Sequence, residues 1–201
     1  MLNLTHALGL IIHPKQEWQK ISQESNGIPG LLFGYVLILA LIGPVAGYYG
    51  TTTSGWQIGG REAVKLTTES ALTLSILYYL AMVVSVIGLG LMVRWMCKTY
   101  GGNTSLNRCI ALSAYVSTPL FLVGIVELWP ILWINLVIGL FALAHAVYLL
   151  YSGVPILMNI SEDKGFLMSS ALLALGMVAL VTLLAITALL WGFGIQPSFT
   201  N

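Results

Sequence analysis

Long apolar stretches alternate with short polar segments along the whole chain. Uncharged runs lie between Glu24 and Arg61, Glu69 and Arg94, Arg108 and Glu127, Glu127 and Glu162, and from Gly165 to the end. Each run can hold the roughly 17–25 residues that a membrane-spanning helix needs. The pattern therefore predicts an all-α fold, a polytopic membrane bundle with five transmembrane helices preceded by amphipathic helices.

Charged and turn-forming residues set the limits of the predicted spans. We expect the spans at about residues 31–49, from near 61 to 96, 109–126, 128–151 and 166–194. This divides the chain into an interfacial segment, a five-span domain and a short tail, at residues 1–29, 30–196 and 197–201.

The interfacial segment contains two short amphipathic pieces. The apolar residues of the first piece fall at helical spacing, at Leu4, Leu8, Ile11 and Ile12. The second begins at Pro14, which suits a first helical turn, and carries Trp18 and Ile21 on one stripe. Both pieces are too short to span, so we expect them in the headgroup region, with Trp18 at the inner interface. A basic start and a small-residue cleavage site are lacking, so no cleavable signal peptide is expected.

The third predicted span contains Pro119, which removes a backbone donor and clashes with the carbonyl of Tyr115. An unpaired carbonyl in hydrocarbon costs several kcal/mol. The hydroxyls of Tyr115, Ser117 and Thr118 are available as partners. We therefore predict a kinked span that faces protein and is surrounded by the others. The alternative interpretation is that Tyr115, Thr118 and Pro119 line a polar cavity or mark a hinge.

Composition agrees with a membrane protein. The chain is 58% hydrophobic and 7% charged, against roughly 25% charged residues in soluble domains. A net charge of +1 argues against a nucleic-acid partner. The two cysteines flank one short loop without close Cys or His pairs, so we expect reduced thiols, no metal site and no cofactor.

The distribution of basic residues predicts the orientation. One side of the five-span arrangement holds six of them, namely Lys15, Lys20, Arg94, Lys98, Arg108 and Lys164. The other side holds Arg61 and Lys65. Cytoplasmic loops carry the excess of Lys and Arg, so the amino terminus is expected in the cytoplasm and the carboxyl terminus outside. The location expected is a bacterial inner membrane.

The basic rim, which we define as Arg94, Lys98 and Arg108, lies at the predicted inner surface. Its simplest role is to set topology. The alternative is that it also holds anionic lipid headgroups, at about 1 kcal/mol per basic residue.

Polar residues inside or beside the spans are candidate functional groups. His145 and Tyr115 each lie about 9 Å from the predicted inner ends of their spans, which suggests a hydrogen bond between them. The alternative is a neutral His145 bonded to a backbone carbonyl. Asn135 is expected to bond across helices for packing, or else to bind a ligand.

Two further features lie towards the outer side. Glu127 stands beside Trp129, so its carboxylate is expected to snorkel into the headgroup region, with a proton or cation role as the alternative. Gly43 and Gly47 are four residues apart, a spacing that lets two helices approach closely.

Several short patterns together resemble one family. They are the five spans, Pro14-x-x-x-Trp18-x-x-Ile21, Ala114-Tyr115-x-x-x-Pro119 and Gly153-Val154-Pro155. Their order and spacing resemble the Yip family of Ypt- or Rab-interacting integral membrane proteins, and the chain looks like a compact bacterial member. The resemblance implies a five-span topology and a role in membrane organisation.

Two functions from different classes are compatible with these patterns. The first is a non-enzymatic protein that organises lipids or partner membrane proteins, with membrane lipids, a second copy or other membrane proteins as partners. The second is a small channel or carrier with a polar route between spans three and four, lined by Tyr115, Asn135 and His145. Because no hydrolase, metalloprotease or dinucleotide motif appears, an enzyme is not expected.

Overall fold

A computed structural model describes residues 5–24, 27–57, 62–102, 104–194 and 196–200. It contains five helices apolar and long enough to cross a membrane, at Ile28–Ser54, Thr68–Thr99, Leu106–Leu128, Leu132–Met158 and Glu162–Gly192. We call them spans one to five. Their number and order confirm the predicted all-α polytopic bundle.

Span three is the most enclosed of the five. Within its most apolar window, 61% of the residues are buried, against 39, 17, 11 and 6% for spans one, two, four and five. Its helix runs over Leu106–Val116, is interrupted at Ser117, and continues as Thr118–Val123 and a 3-10 turn at Gly124–Leu128. Pro119 is buried in the first turn after the interruption. The prediction of a broken, protein-facing third span is confirmed.

The hydroxyl groups near Pro119 bond differently from the prediction. The Ser117 hydroxyl donates to the carbonyl of Ser113 at 2.9 Å, and the Thr118 hydroxyl pairs with that of Tyr35 at 2.6 Å. The backbone N–H of Ser117 is directed at the carbonyls of Ser113 and Tyr115. Backbone, rather than the hydroxyls of Ser117 and Thr118, therefore faces the carbonyl that Pro119 frees.

Span four continues beyond its predicted end. It reaches Met158 with Pro155 inside the helix, although the proline has no N–H to donate to the Tyr151 carbonyl. Asn159 terminates the helix in the left-handed conformation, at φ 53°, and Ile160 N–H donates to the Pro155 carbonyl at 3.2 Å. The Asn159 N–H is directed at the same carbonyl, so both groups satisfy one of the last carbonyls of the helix.

Two helices precede the spans, α1 at Thr5–Ile12 and α2 at Pro14–Gln23. Leu10 and Trp18 are fully buried in the bundle, whereas Leu8 and Ile12 on α1 are 65% and 64% exposed. The Trp18 indole donates to Ser152 Oγ at 3.2 Å. Trp18 is therefore enclosed by protein and not exposed to lipid headgroups, because α2 packs into the bundle, while α1 presents an apolar outer face.

The two ends of the bundle differ. The basic end is the one that carries α1, α2 and the basic rim. At the strand end, β1 (Lys65–Leu66) pairs antiparallel with β2 (Phe199–Thr200). Ser198 N–H also donates to the Ser70 hydroxyl at 3.0 Å. The segment predicted as a tail is thus joined to the start of span two.

Span one crosses span three at two glycines. A Cβ added at Gly124 would lie 2.6 Å from the Cα of Gly43. Span one also contains two π-helical turns, Leu32–Val36 and Gly50–Ser54. The close approach at Gly43 is therefore a contact within one chain.

Candidate functional site

An ionic network joins α1 to α2 at the basic end. His6 Nδ1 lies 2.5 Å from Glu17 Oε1, and His6 Nε2 lies 3.1 Å from Glu24 Oε1. Lys20 Nζ donates to Glu17 Oε2 at 2.9 Å. Ionised carboxylates accept hydrogen bonds and do not donate them. Both contacts are therefore hydrogen bonds when His6 carries a proton on each ring nitrogen.

Glu17 is a carboxylate that the bundle encloses. Its side chain is 7% exposed and that of His6 is 9% exposed. Burial alone would raise the pKa of Glu17, but the hydrogen bonds from His6 and Lys20, with their positive charges, outweigh burial and lower it. Gly9 leaves room for this carboxylate, since a Cβ there would collide with it.

Tyr115 forms the centre of an aromatic cluster that contacts this network through His6. Its ring makes edge-on contacts with His6, Trp18 and Tyr35, at centroid distances of 5.6, 6.3 and 4.9 Å. Edge-to-face pairs of this kind are favourable beyond the apolar area that they bury. Four elements, namely α1, α2, span one and span three, therefore converge on Tyr115.

A cavity of about 180 Å³ lies beside Tyr115 and opens at the basic end. Its polar lining consists of Glu24, Ser105, Asn107 and Arg108. Arg108 Nη2 also donates to the carbonyl of Ser22 at 3.2 Å, which holds the guanidinium against the end of α2. One member of the basic rim thus lies at the cavity, together with an acidic side chain.

Arg94 and Lys98 occupy the last two turns of span two, at the same end as Arg108. Arg94 is half-buried, and Lys98 and Arg108 are exposed. Lys65, one of the two basic residues predicted for the opposite side, lies in β1 at the strand end. The other, Arg61, falls outside the described residues.

His145 contacts α1 rather than Tyr115. Its Nε2 lies 3.2 Å from the carbonyl oxygen of Leu10, so this nitrogen is the donor. That carbonyl needs a donor because the residue four positions on is Pro14, which has no N–H. The hydrogen bond suggested between Tyr115 and His145 is wrong, and the alternative of a backbone carbonyl partner is correct.

The Asn135 side chain forms hydrogen bonds within its own segment of the chain. Its side-chain amide donates to the carbonyls of Trp129 and Ile131, at 2.8 and 3.0 Å. These groups belong to the turn that leads into span four, so the prediction of a bond across helices is wrong. Tyr115, Asn135 and His145 have different surroundings and do not converge on a route between spans three and four.

Glu127 turns inward at the end of span three. The hydroxyl of Tyr78 in span two donates to its Oε1 at 3.0 Å. A Cβ added at Gly47 would lie 2.6 Å from its Oε2. The carboxylate is therefore half-buried between spans one and two, and the prediction that it snorkels outward is wrong. Trp129 beside it is exposed.

Several residues of these clusters were not identified from the sequence. Tyr35 and Tyr78 looked like ordinary residues of an apolar span, and Glu17 like a residue of the solvated face of α2. A signal was present for Glu17, because it is separated by one helical turn from Lys20 and lies next to the buried Trp18. Its pairing with His6 depends on how α1 folds back on α2.

Span three is broken and has spans one, two and four packed on it, while span five packs against span four. With the α1–α2 pair at the basic end, this arrangement defines a polytopic helical membrane protein. The Yip1 domain model matches residues 8–183, and the chain belongs to this family, as the sequence resemblance indicated. It is 38% identical over 191 residues to the inner membrane protein YohC of Escherichia coli K12, covering 95% of this chain and 98% of that protein. The YohC protein of Escherichia coli O6:H1 gives the same values. No solved structure matches the chain.

Proposed function

We propose that this chain is a non-enzymatic inner-membrane protein that organises lipids around its basic end, with anionic lipids enriched there. The inner-membrane location is extended to this chain from the YohC relatives, which are named as inner membrane proteins. The predicted orientation places the basic end in the cytoplasmic leaflet, where the negative surface potential attracts Lys and Arg.

The observation that carries the proposal is the exposed apolar face of α1, which is joined through His6 and Glu17 to α2, the helix against whose end Arg108 is held. Leu8, Ile11 and Ile12 are exposed on that face, while Leu10 and Ala7 on the opposite side are buried in the bundle. A helix with one apolar face and neighbouring basic side chains is suited to an anionic bilayer surface. The bundle fixes this helix, so lipids at the basic end meet a preformed surface.

Span five offers a second surface for partners. Only 6% of its most apolar window is buried, so most of its circumference is available to lipid. A second copy or another membrane protein is the alternative occupant. We assign this surface to lipid chains, because lipid is as apolar as the side chains that span five presents.

The experiment uses the full chain in nanodiscs that contain phosphatidylglycerol and phosphatidylcholine. Lipids retained after stepwise detergent extraction are counted by native mass spectrometry. The pair Arg94→Gln and Lys98→Gln is expected to lower phosphatidylglycerol retention roughly thirtyfold, from about 1 kcal/mol for each of the two basic residues. Lys65→Gln at the strand end is the matched control. This variant is expected to retain as much phosphatidylglycerol as the unmodified chain. Equal retention of both lipids by the unmodified chain, or equal losses in the variants and the control, would reject the proposal.

A further inference from the structure

The cavity beside Tyr115 extends along one face of span three. Arg108, Ala111 and Tyr115 line it at spacings of three and four residues, so they lie on one face of span three. Seven residues of helix correspond to about 10 Å of depth. Arg108 lies at the mouth, and the fully buried Tyr115 forms the floor. A volume of about 180 Å³ far exceeds the ~15 Å³ that one water requires.

The cavity carries both signs of charge. Among the described residues, the Arg108 guanidinium donates to the Ser22 carbonyl, and a guanidinium has five donors. Its planar fork matches the oxygens of a phosphate. Glu24 lines the same cavity, and its side chain is 38% exposed while it contacts His6. Glu24 therefore brings a partly exposed carboxylate, already paired with His6, to the cavity wall.

This combination selects against ligands of a single charge. A simple anion at Arg108 would meet the carboxylate of Glu24, and a simple cation at Glu24 would meet the guanidinium. We propose that the cavity binds a phosphate–ammonium zwitterion of the phosphoethanolamine type, with its phosphate on Arg108 and its ammonium on Glu24. Asn107 and Ser105 add hydrogen-bonding groups at the mouth.

The ammonium must be a hydrogen-bond donor. A primary ammonium donates three N–H bonds to carboxylate oxygens, whereas the trimethylated ammonium of phosphocholine has none. Leu31 and Leu157 also line the cavity, so the acyl chains of a lipid would leave along an apolar wall. The assignment rests on the proposed lipid-organising function and names its headgroup class.

The test uses the delipidated full chain in detergent and native mass spectrometry with phosphatidylethanolamine and phosphatidylcholine. The unmodified chain is expected to bind phosphatidylethanolamine about tenfold more tightly, the equivalent of one charged hydrogen bond. Glu24→Gln is expected to remove this preference. Arg108→Gln is expected to weaken the binding of both lipids. Glu162→Gln and Lys164→Gln, at exposed positions of the same end, are the matched controls.

A second variant fills the cavity and leaves its charges in place. Ala111→Leu is expected to reduce phosphatidylethanolamine binding at least tenfold with an unchanged melting temperature. Equal binding of the two lipids by the unmodified chain would overturn the assignment, as would a preference that survives both Glu24→Gln and Ala111→Leu. Both lipids are zwitterionic, so such a failure leaves the phosphatidylglycerol test of the proposed function intact.

Soluble phosphoethanolamine, added as competitor, separates the two sources of the same chemistry. If it displaces the lipid, the cavity recognises the free headgroup as well. If the lipid stays bound, the acyl chains are required and the membrane is the source. Both results support the zwitterion assignment, whereas displacement by inorganic phosphate alone to the same extent would overturn it, because Glu24 would then contribute nothing.

Discussion

His145, inside span four, donates a hydrogen bond to the backbone carbonyl of Leu10 in α1 at 3.2 Å. The two residues are 135 positions apart, and the bond exists because Pro14 cannot donate to that carbonyl. An ionisable side chain within a span thus has a structural role here. It attaches α1 to the bundle and keeps the apolar outer face of α1 in a fixed position.

Replacing His145 tests this attachment. His145→Leu leaves the Leu10 carbonyl without its donor and is expected to cost about 1–3 kcal/mol. Hydrogen exchange of residues 5–12 should accelerate, and the melting temperature in detergent should fall. His13→Leu, at an exposed position, is the control and should change neither. Unaltered exchange in α1 of His145→Leu would contradict the role.

Gly153 tests the packing of Trp18 on span four. A Cβ at this position would lie 2.7 Å from the indole ring and 2.9 Å from Leu112 Cδ1. Gly153→Ala is therefore expected to destabilise the bundle by about 1–3 kcal/mol, with a change in Trp18 fluorescence. Gly139→Ala, in the same helix with no described atom within 4 Å, is expected to be neutral or stabilising. Similar melting temperatures for the two variants would show that Trp18 can move aside.

The crossing of spans one and three gives a third prediction. Gly124→Ala places a Cβ against the Cα of Gly43, and backbone cannot move aside as a flexible side chain does. The expected loss is about 1–3 kcal/mol, seen as a lower melting temperature with an unchanged oligomeric state. Gly88→Ala in span two has open space and serves as the control. A change of oligomeric state in Gly124→Ala alone would place the glycine contact between chains instead.

Acid should weaken the attachment of α1 to α2. The pKa of Glu17 is lower in the folded chain than in the unfolded one. Its contribution to stability is therefore fully present above the unfolded pKa and is lost as the pH falls through the folded pKa. Protease cleavage within residues 5–24 should rise over that acidic range. Glu17→Gln should remove this dependence, and an identical acid transition in that variant would show that Glu17 is not its source.

The course of the chain through the membrane could be predicted from the sequence. Five spans follow from uncharged runs of sufficient length, and the central position of span three follows from Pro119 and the hydroxyls beside it. These are local properties, since hydrocarbon accepts only segments that satisfy their own backbone. The amphipathic character of α1 and α2 was also visible in the spacing of their apolar residues.

The partners of the polar side chains were decided by tertiary structure. Leu10 and His145, Tyr78 and Glu127, and Tyr35 and Thr118 are far apart in the sequence, so no local pattern joins them. Periodicity identifies an apolar face but not what covers it, because lipid chains are as apolar as a protein core. Trp18 was therefore assigned to the membrane surface from its spacing, and only the folded chain shows it enclosed against Gly153.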